Sequence, residues 1–486
     1  MKVIIVGAGF GGLSAAAQLA YDGHDVTILE KNSQPGGRAR RLRTEEYTFD
    51  MGPSWYLMPE VFNSFFDSVD RDPQDYYELN RLDPGYRMFF EDDVVDMPAD
   101  LDAIYDLFDT FEENGAEKLK RYLDDATEKY ENSMETFLYK EYEKPSDFFT
   151  WDLAKTGLKF NPFTSMKTHV DKYFDSNKAK KIVQYTLVFL GGSPSTTPSI
   201  YSLMSHVDMK GGVWYPDGGI GSVVDAFEEI CYEEGVSIHY DQEVRCVNTH
   251  EDRATSVTTV NEDTFYGDKI LMNADYHHAE TELVPDEHQT YGDDYWESTT
   301  VAPSAFLIYL GLDKELPSLK HHSLFVHHDW VEHFESIFDD PSWPDKPSYY
   351  VCNASKTDGD VAPPGKEALF ALVPIASGLD DTDSLRSYYA EKILADMESR
   401  LDTSIREHID YQKIFTINDF AEDYNAYKGT GLGLTQTLWQ TALFRPNHQS
   451  DNLDNLYYTG QFTHPGIGVP MTLISSDIVT DMITSA

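Results

Sequence analysis

Short runs of wholly apolar residues recur at both ends and in the middle of this chain, and their flanks decide what each becomes. Residues 3–6 (Val-Ile-Ile-Val) lead straight into a glycine cluster, which predicts a strand, a tight turn and the start of a helix. A second apolar run over 26–29 ends at Glu30. Farther on, the pattern predicts a helix over 222–234 and strands over 236–240, 243–248, 255–260 and 264–272. Helical periodicity marks 101–129, whereas 304–310 and 368–373 read as strands and 472–483 as a closing helix. No run of about 18 apolar residues is present, so no membrane-spanning helix is predicted. The chain shows no internal repeat and no low-complexity linker.

Candidate chemistry enters at the first glycine cluster. Gly7, Gly9 and Gly12 hold the G-x-G-x-x-G positions, and Glu30 follows Gly12 by 18 residues. Such glycines let backbone N–H groups approach a pyrophosphate at the positive end of a helix. A carboxylate at that distance accepts hydrogen bonds from ribose hydroxyls, so strand, helix and acid together predict a dinucleotide site. Directly after Glu30 come Lys31, then Gly36-Gly37 and Arg38, then Gly52, Pro53 and Ser54. A second pass of backbone and a cation over the same phosphates suits a cofactor that stays bound. That points to FAD rather than to a nicotinamide that leaves after each turnover. Arg38 is the expected phosphate partner, while Arg40, Arg41 and Arg43 read as a solvated basic strand. Residues 429–433 (Gly-Thr-Gly-Leu-Gly) lack a preceding strand and nucleotide spacing, so no separate NAD site is expected.

The Gly36-to-Ser54 block resembles the FAD-binding amine-oxidase-like superfamily. Residues 52–59, 190–204, 212–219 (Gly-Val-Trp-Tyr-Pro-Asp-Gly-Gly), 273–275, 444–446 and 463–470 sharpen the likeness. They are similar to the carotenoid desaturase family, which includes bacterial-type phytoene desaturases and dehydrosqualene desaturases. The match runs in register from residue 3 to about 485. Its most specific piece is 463–470 (Thr-His-Pro-Gly-Ile-Gly-Val-Pro), whose spacing disfavours an amine oxidase. The resemblance implies an α/β (α+β) fold with a Rossmann-type FAD-binding domain built from 1–60, 205–280 and 425–486. Interleaved with it is a substrate domain of 61–204 and 281–424, containing a mixed sheet and a helical lid over 151–190. It also implies that Val244 brings a backbone pair to the adenine, and that Asn273, Gly460, Gln461, Gly468, Val469 and Pro470 belong to the FAD site. The helix after Pro470 would start beside the flavin, its dipole stabilising negative charge when the flavin is reduced.

Composition adds an independent constraint. With 84 acidic and 38 basic residues the formal charge is −46, which excludes nucleic acid as a partner. Self-repulsion of that size is relieved by screening, so a salt-rich cytosol is expected. A disordered acidic chain is disfavoured by 41% hydrophobic and 13% aromatic residues, which suit two intertwined packed domains. Cys231, Cys246 and Cys352 show no C-x-x-C spacing, so neither a disulfide framework nor a zinc site is expected. His277-His278 near Glu280, and His321-His322 with His327-His328, lack tight ligand spacing, and no metal is expected. The strand beginning at Val3 argues against a signal peptide.

One segment runs against the charge. Between Trp151 and Lys181 seven lysines face three aspartates, a local excess of four positive charges interleaved with aromatic residues. That mixture suits peripheral contact with an anionic membrane, from which a carotenoid would be drawn. The expected location is therefore the cytoplasmic, inner face of the cell membrane. As the family implies, a long polyene would give up a hydride to flavin N5 and a proton to the protein. Trp55, Tyr56, Trp214 and Tyr215 are candidate tunnel walls. Asp275 and His464 lie in matching motifs as candidate proton acceptors, although a stabilised polyenyl cation needs no strong base. Phytoene is the expected substrate. The alternatives are a 3,4-desaturase acting on a hydroxylated carotenoid, a dehydrosqualene-type desaturase, a carotene isomerase and a non-enzymatic carotenoid-binding flavoprotein. Oxygen or quinone would reoxidise the flavin.

Overall fold

A computed structural model describes residues 1–140, 164–327 and 330–485. The apolar runs at 3–6 and 26–29 lie in strands Lys2–Val6 and Asp25–Leu29, whose continuous burial suits a parallel sheet covered on both faces. They sit in a five-stranded parallel sheet ordered Leu456–Tyr458, Lys269–Met272, Lys2–Val6, Asp25–Leu29, Ser237–His239. The first, middle and last stretches of the chain thus meet in one layer. Helix Phe10–Tyr21 packs against both Ile220–Glu233 and Val469–Ser485. A three-stranded antiparallel sheet, Val244–His250, Arg253–Thr259 and Thr264–Tyr266, stands beside this layer.

The second large sheet has seven strands, ordered Ile409–Phe415, Ser304–Leu312, Glu367–Ile375, Tyr349–Asn353, His322–Phe325, Tyr86–Phe89, Val94–Met97. It is antiparallel except where His322–Phe325 runs parallel to Tyr86–Phe89. One apolar cluster runs from Leu13 and Val26 through Tyr56 and Phe62 to Tyr309 and Phe370, so the two large sheets share a core.

Three elements differ from their sequence patterns. The strand expected over 264–272 breaks at Gly267 and Asp268, where Asp268 exchanges hydrogen bonds with Lys2 and turns the second half into the parallel sheet. The helix expected over 101–129 is two helices, Leu101–Asp109 and Gly115–Thr136. Asn114 at φ 57 reverses the chain there, and a Cβ on Gly115 would meet the Phe108 carbonyl at 2.0 Å. The closing helix begins at Val469, with Pro470 in the first turn where its missing N–H costs nothing.

Candidate active site

The glycine turn after strand Lys2–Val6 is shaped by what presses on it. Gly7 has φ +103, and a Cβ there would meet the Asn273 carbonyl at 2.9 Å. A Cβ on Gly12 would lie 2.1 Å from the Gly7 carbonyl. Asn273 donates from Nδ2 to that same carbonyl at 3.2 Å, bracing the turn from the next strand. Glu30 is buried; its Oε2 accepts from the Ala8 N–H at 2.7 Å and its Oε1 from the Asn32 N–H at 2.8 Å. The acid therefore ties the end of the second strand to the turn before it meets any ribose.

Gly36 and Gly37 bring the second segment onto the first. The Gly36 N–H donates to the Ala8 carbonyl at 2.8 Å, and both glycines hold positive φ. Arg38, which follows, is half-buried between Asp275 at 3.9 Å, the Thr430 carbonyl at 3.1 Å and the Tyr424 ring at 5.6 Å. With its amide oxygen toward the guanidinium, Gln461 accepts from Arg38 Nη1 at 2.6 Å. Burial holds the Arg38 pKa below its ordinary value, against the opposing pull of Asp275. Gly52 lies against the Arg38 carbonyl, so residues 52–54 run alongside this cation. Lys31 is engaged by the Glu422 carbonyl at 2.6 Å and Asn425 Oδ1 at 2.7 Å.

The C-terminal motif closes the other side. Gly460 and Gly468 both have positive φ, and Ser475 Oγ accepts the Gly460 N–H at 3.1 Å while meeting the Thr459 and Thr463 hydroxyls. Arg445, fully buried, donates to the carbonyls of Leu434, Gln440, Gln461 and Thr463 and so holds the motif to the preceding loop. The first turn of helix Val469–Ser485 carries no acid, leaving its positive end to the cavity.

These segments enclose a cavity of about 780 Å³. Its walls include Gly7, Gly9, Glu30, Lys31, Gly37, Arg38, Gly52, Pro53, Ser54, Val244, Asn273, Asp275, Gly460, Gln461, Gly468, Val469 and Pro470. Gly12 shapes the turn from behind. The cavity continues past Trp55 and Tyr185 to Tyr350, Leu324 and helix Trp330–Phe338, with a mainly apolar lining. A flavin dinucleotide fits this wall. Arg38 Nε is buried there with no hydrogen-bond partner, and Gly9 and Gly37 line the wall with backbone alone.

Other expected site residues fall elsewhere. Trp55 lines the cavity and stacks on His322 at 4.1 Å. Tyr56, Trp214 and Tyr215 do not line it. Tyr56 stacks on Phe62 at 4.2 Å with its hydroxyl on Tyr77, and Trp214 donates from Nε1 to the Gly211 carbonyl. Tyr215 donates to Asp358 at 3.1 Å. Trp214 and Tyr215 are held by strand pairing of Leu79–Arg81 with Trp214–Pro216, and Tyr56 by a bridge to Trp214, long-range pairings that no local pattern shows. Asp275 caps a helical turn through the His278 N–H, accepts from the Tyr427 N–H at 3.3 Å and backs Arg38; burial pushes its pKa up to about 6. It positions the cation. His464 lies behind the cavity, its Nε2 3.2 Å from the carbonyls of Phe137 and Leu138, and burial pushes its pKa down to about 3. Two carbonyl acceptors require that nitrogen to carry the proton, so it holds the fold of the 137–138 turn. His321 and His322 meet Cys352, with candidate ligand atoms within 4.8 Å of one another, a grouping hidden in sequence by the separation of 31 positions between His321 and Cys352. His321 Nδ1 meets the Thr357 hydroxyl at 2.8 Å, His322 Nδ1 meets the Tyr350 hydroxyl at 2.6 Å, and burial pushes the thiol up to about 12. His328 lies outside the described residues.

Fold and wall together define a flavoprotein oxidoreductase. The family model for flavin containing amine oxidoreductases matches residues 10–481. The chain is 50% identical over 479 residues to a carotenoid 3,4-desaturase of Haloarcula japonica, covering 98% of this chain and 96% of that one. It is 31% identical to a zeta-carotene-forming phytoene desaturase of Myxococcus xanthus, covering 99% and 93%. It is 32% identical to a 4,4'-diapophytoene desaturase of Staphylococcus aureus, covering 99% and 98%. Among solved structures, putrescine oxidase bound to putrescine shares the fold with a TM-score of 0.64 at 14% identity, both chains being fully covered. This chain belongs to the carotenoid desaturases within the flavin containing amine oxidoreductases. It is an FAD-dependent oxidoreductase acting on CH–CH groups.

Proposed function

We propose that this desaturase is a carotenoid 3,4-desaturase, introducing a double bond near the end of a hydroxylated carotenoid. What carries the reading is its 50% full-length identity to a carotenoid 3,4-desaturase, against 31–32% to phytoene and diapophytoene desaturases. FAD, when bound, supplies the hydride acceptor. The chain's own part is to bind, orient and keep water out. Leu307, Leu324, Phe334 and Leu372 offer apolar wall to a polyene. Among them, the Ser54 and Tyr350 hydroxyls, 2.8 Å apart, offer a hydrogen-bonding pair to a hydroxylated end.

Bilayer contact in this reading centres on the cavity's aromatic edge. Trp439 is 70% exposed and Phe444 41%, their rings 5.5 Å apart, and Phe444 with Leu438 also lines the cavity. Such exposed aromatics suit the interfacial zone of a membrane. The basic segment contributes less charge than its composition promised: Lys178 pairs with Asp93 at 2.8 Å and Lys180 with Asp171 at 2.7 Å. Residues 151–163 of that segment lie outside the described residues. The reading keeps the enzyme at the inner face of the cell membrane, with oxygen or quinone as terminal acceptor. Product analysis tests the substrate. FAD-loaded protein is given phytoene and, separately, a hydroxylated conjugated carotenoid in vesicles at molar salt. A red-shifted product from the second alone supports the 3,4-reading; stepwise conversion of phytoene alone overturns it and restores the phytoene desaturase expectation.

A further inference from the structure

Beside the cavity lies a buried carboxylate with no assigned role. Asp208 sits in the π-helical turn Val207–Gly211 and is 4% exposed. Its Oδ1 accepts from the Tyr185 hydroxyl and its Oδ2 from the Tyr86 hydroxyl, both at 2.9 Å. Tyr185 is part of the cavity wall, its ring 6.0 Å from that of Trp55. The carboxylate thus stands one side chain behind the substrate space, joined to it by a phenol.

No cation answers this charge among the described residues. Lys210, on the same turn, reaches instead to Thr127 at 2.7 Å and Asp124 at 3.9 Å, and His206 stacks on Tyr130 at 4.4 Å. Arg87, next to Tyr86, is bidentate on Asp96. Helix Leu101–Asp109, packed on the turn, brings only acids and Tyr105 as titratable groups. His322, behind Trp55, is kept neutral by burial. Burial accordingly pushes Asp208 up to about 7, partly offset by the two phenols. An asparagine would accept one of these hydroxyls at Oδ1 and donate from Nδ2 to the other without a buried charge, so packing alone does not call for aspartate. π-turns and uncompensated buried acids both concentrate at working sites.

We propose that Tyr185 and Asp208 form the proton acceptor of the desaturation, Tyr185 meeting the substrate and Asp208 holding the proton behind it. This rests on the chain's desaturase activity toward a carotenoid. One substrate carbon would give up a hydride, with its electron pair, to FAD when that cofactor is bound. At the neighbouring carbon a C–H bond breaks, and its electron pair becomes the new C=C. That proton passes to Tyr185 Oη as the phenolic proton moves to Asp208 Oδ1. The dyad changes from −1 to neutral while the substrate cation becomes neutral, so charge and atoms balance.

The test compares FAD-loaded wild type, Asp208→Asn and Tyr185→Phe on a hydroxylated carotenoid in phosphatidylglycerol vesicles. Both variants are expected to lose about 10²- to 10⁴-fold in kcat with FAD affinity and KM little changed. The wild-type rate is expected to climb as pH rises through about 7, where the carboxylate forms, and the residual rate of Asp208→Asn to lack that limb. Independently of turnover, infrared difference spectra are expected to show a carboxylic-acid C=O band that disappears through the same pH range. That band should be missing from Asp208→Asn and shifted in Tyr185→Phe. Both variants turning over within about threefold of wild type, or spectra that do not change on Asp208→Asn, would overturn the assignment. Should Asp208→Asn fail to fold, Tyr185→Phe carries the same measurements with Asp208 and Tyr86 in place. A wild type that converts neither this carotenoid nor phytoene contradicts the desaturase reading itself, and the infrared band then decides the proton-holding role alone.

Discussion

Arg38 shows how a residue can be legible in sequence while its support is not. The Gly-Gly-Arg spacing after a ribose acid marks it, but Asp275, Gln461, Thr430 and Tyr424, which fix its guanidinium, come from three distant stretches. Tyr185 and Asp208 are a harder case, because an acid between Val207 and Met209 in an apolar stretch carries no motif. Only the fold, by placing Tyr86 and Tyr185 against it, gives that acid meaning. Arg38→Met is expected to weaken FAD binding about 10- to 100-fold, the loss of charge-assisted hydrogen bonds worth about 1.5–3 kcal/mol. Flavin fluorescence titration reads this directly, and an unchanged affinity would remove Arg38 from the phosphate site. Gly12→Ala puts a methyl 2.1 Å from the Gly7 carbonyl and 2.8 Å from Asn273 Nδ2. Since the turn has no room to yield, a clearly lowered thermal midpoint and loss of FAD retention are expected, measured by calorimetry and by the flavin-to-protein absorbance ratio.

Elements built from local signals were the readable part of this fold. Strand Lys2–Val6, its glycine turn and helix Phe10–Tyr21 follow from an apolar run leading into a glycine cluster, and helix Ile220–Glu233 lies within two residues of its pattern. What sequence patterning missed were breaks imposed from outside: the helix interrupted before Gly115 by the Phe108 carbonyl, and the strand turned at Asp268 by Lys2. The tunnel walls failed for the same reason. Tyr56, Trp214 and Tyr215 sit beside glycine turns in sequence, yet pairing of Trp214–Pro216 with Leu79–Arg81 and with Tyr56 buries Tyr56 and Tyr215 and leaves Trp214 half-buried away from the cavity. The short turns around Trp439 and Phe444 gave no periodic signal, yet they expose the cavity's aromatic edge. The double variant Trp439→Glu with Phe444→Glu is expected to cut vesicle binding at least about tenfold in flotation assays, given about 1.5–3 kcal/mol for each buried aromatic. Unchanged flotation would move the contact elsewhere.

At the scale of the whole molecule, charge dominates. With 84 acids to 38 basic residues, cations are shared: Lys118 pairs with Glu112 and Asp175, Lys366 with Glu46 and Asp410, Arg406 with Glu391 and Glu398. Most acids therefore face other acids across water, a repulsion that counterions screen over about 3 Å at molar salt against about 10 Å at 0.1 M. The thermal midpoint is expected to rise steadily from dilute buffer to molar KCl, and a flat profile would remove salt from the account. In the proposed function this cavity couples a flavin to the end of a hydroxylated carotenoid. The most direct measurement is an anaerobic spectrum of the FAD-loaded protein mixed with that carotenoid in vesicles at molar KCl. The account predicts bleaching of oxidised flavin in step with a red shift of the carotenoid bands, and neither change with phytoene. Flavin that stays oxidised with the hydroxylated carotenoid but bleaches with phytoene would contradict it.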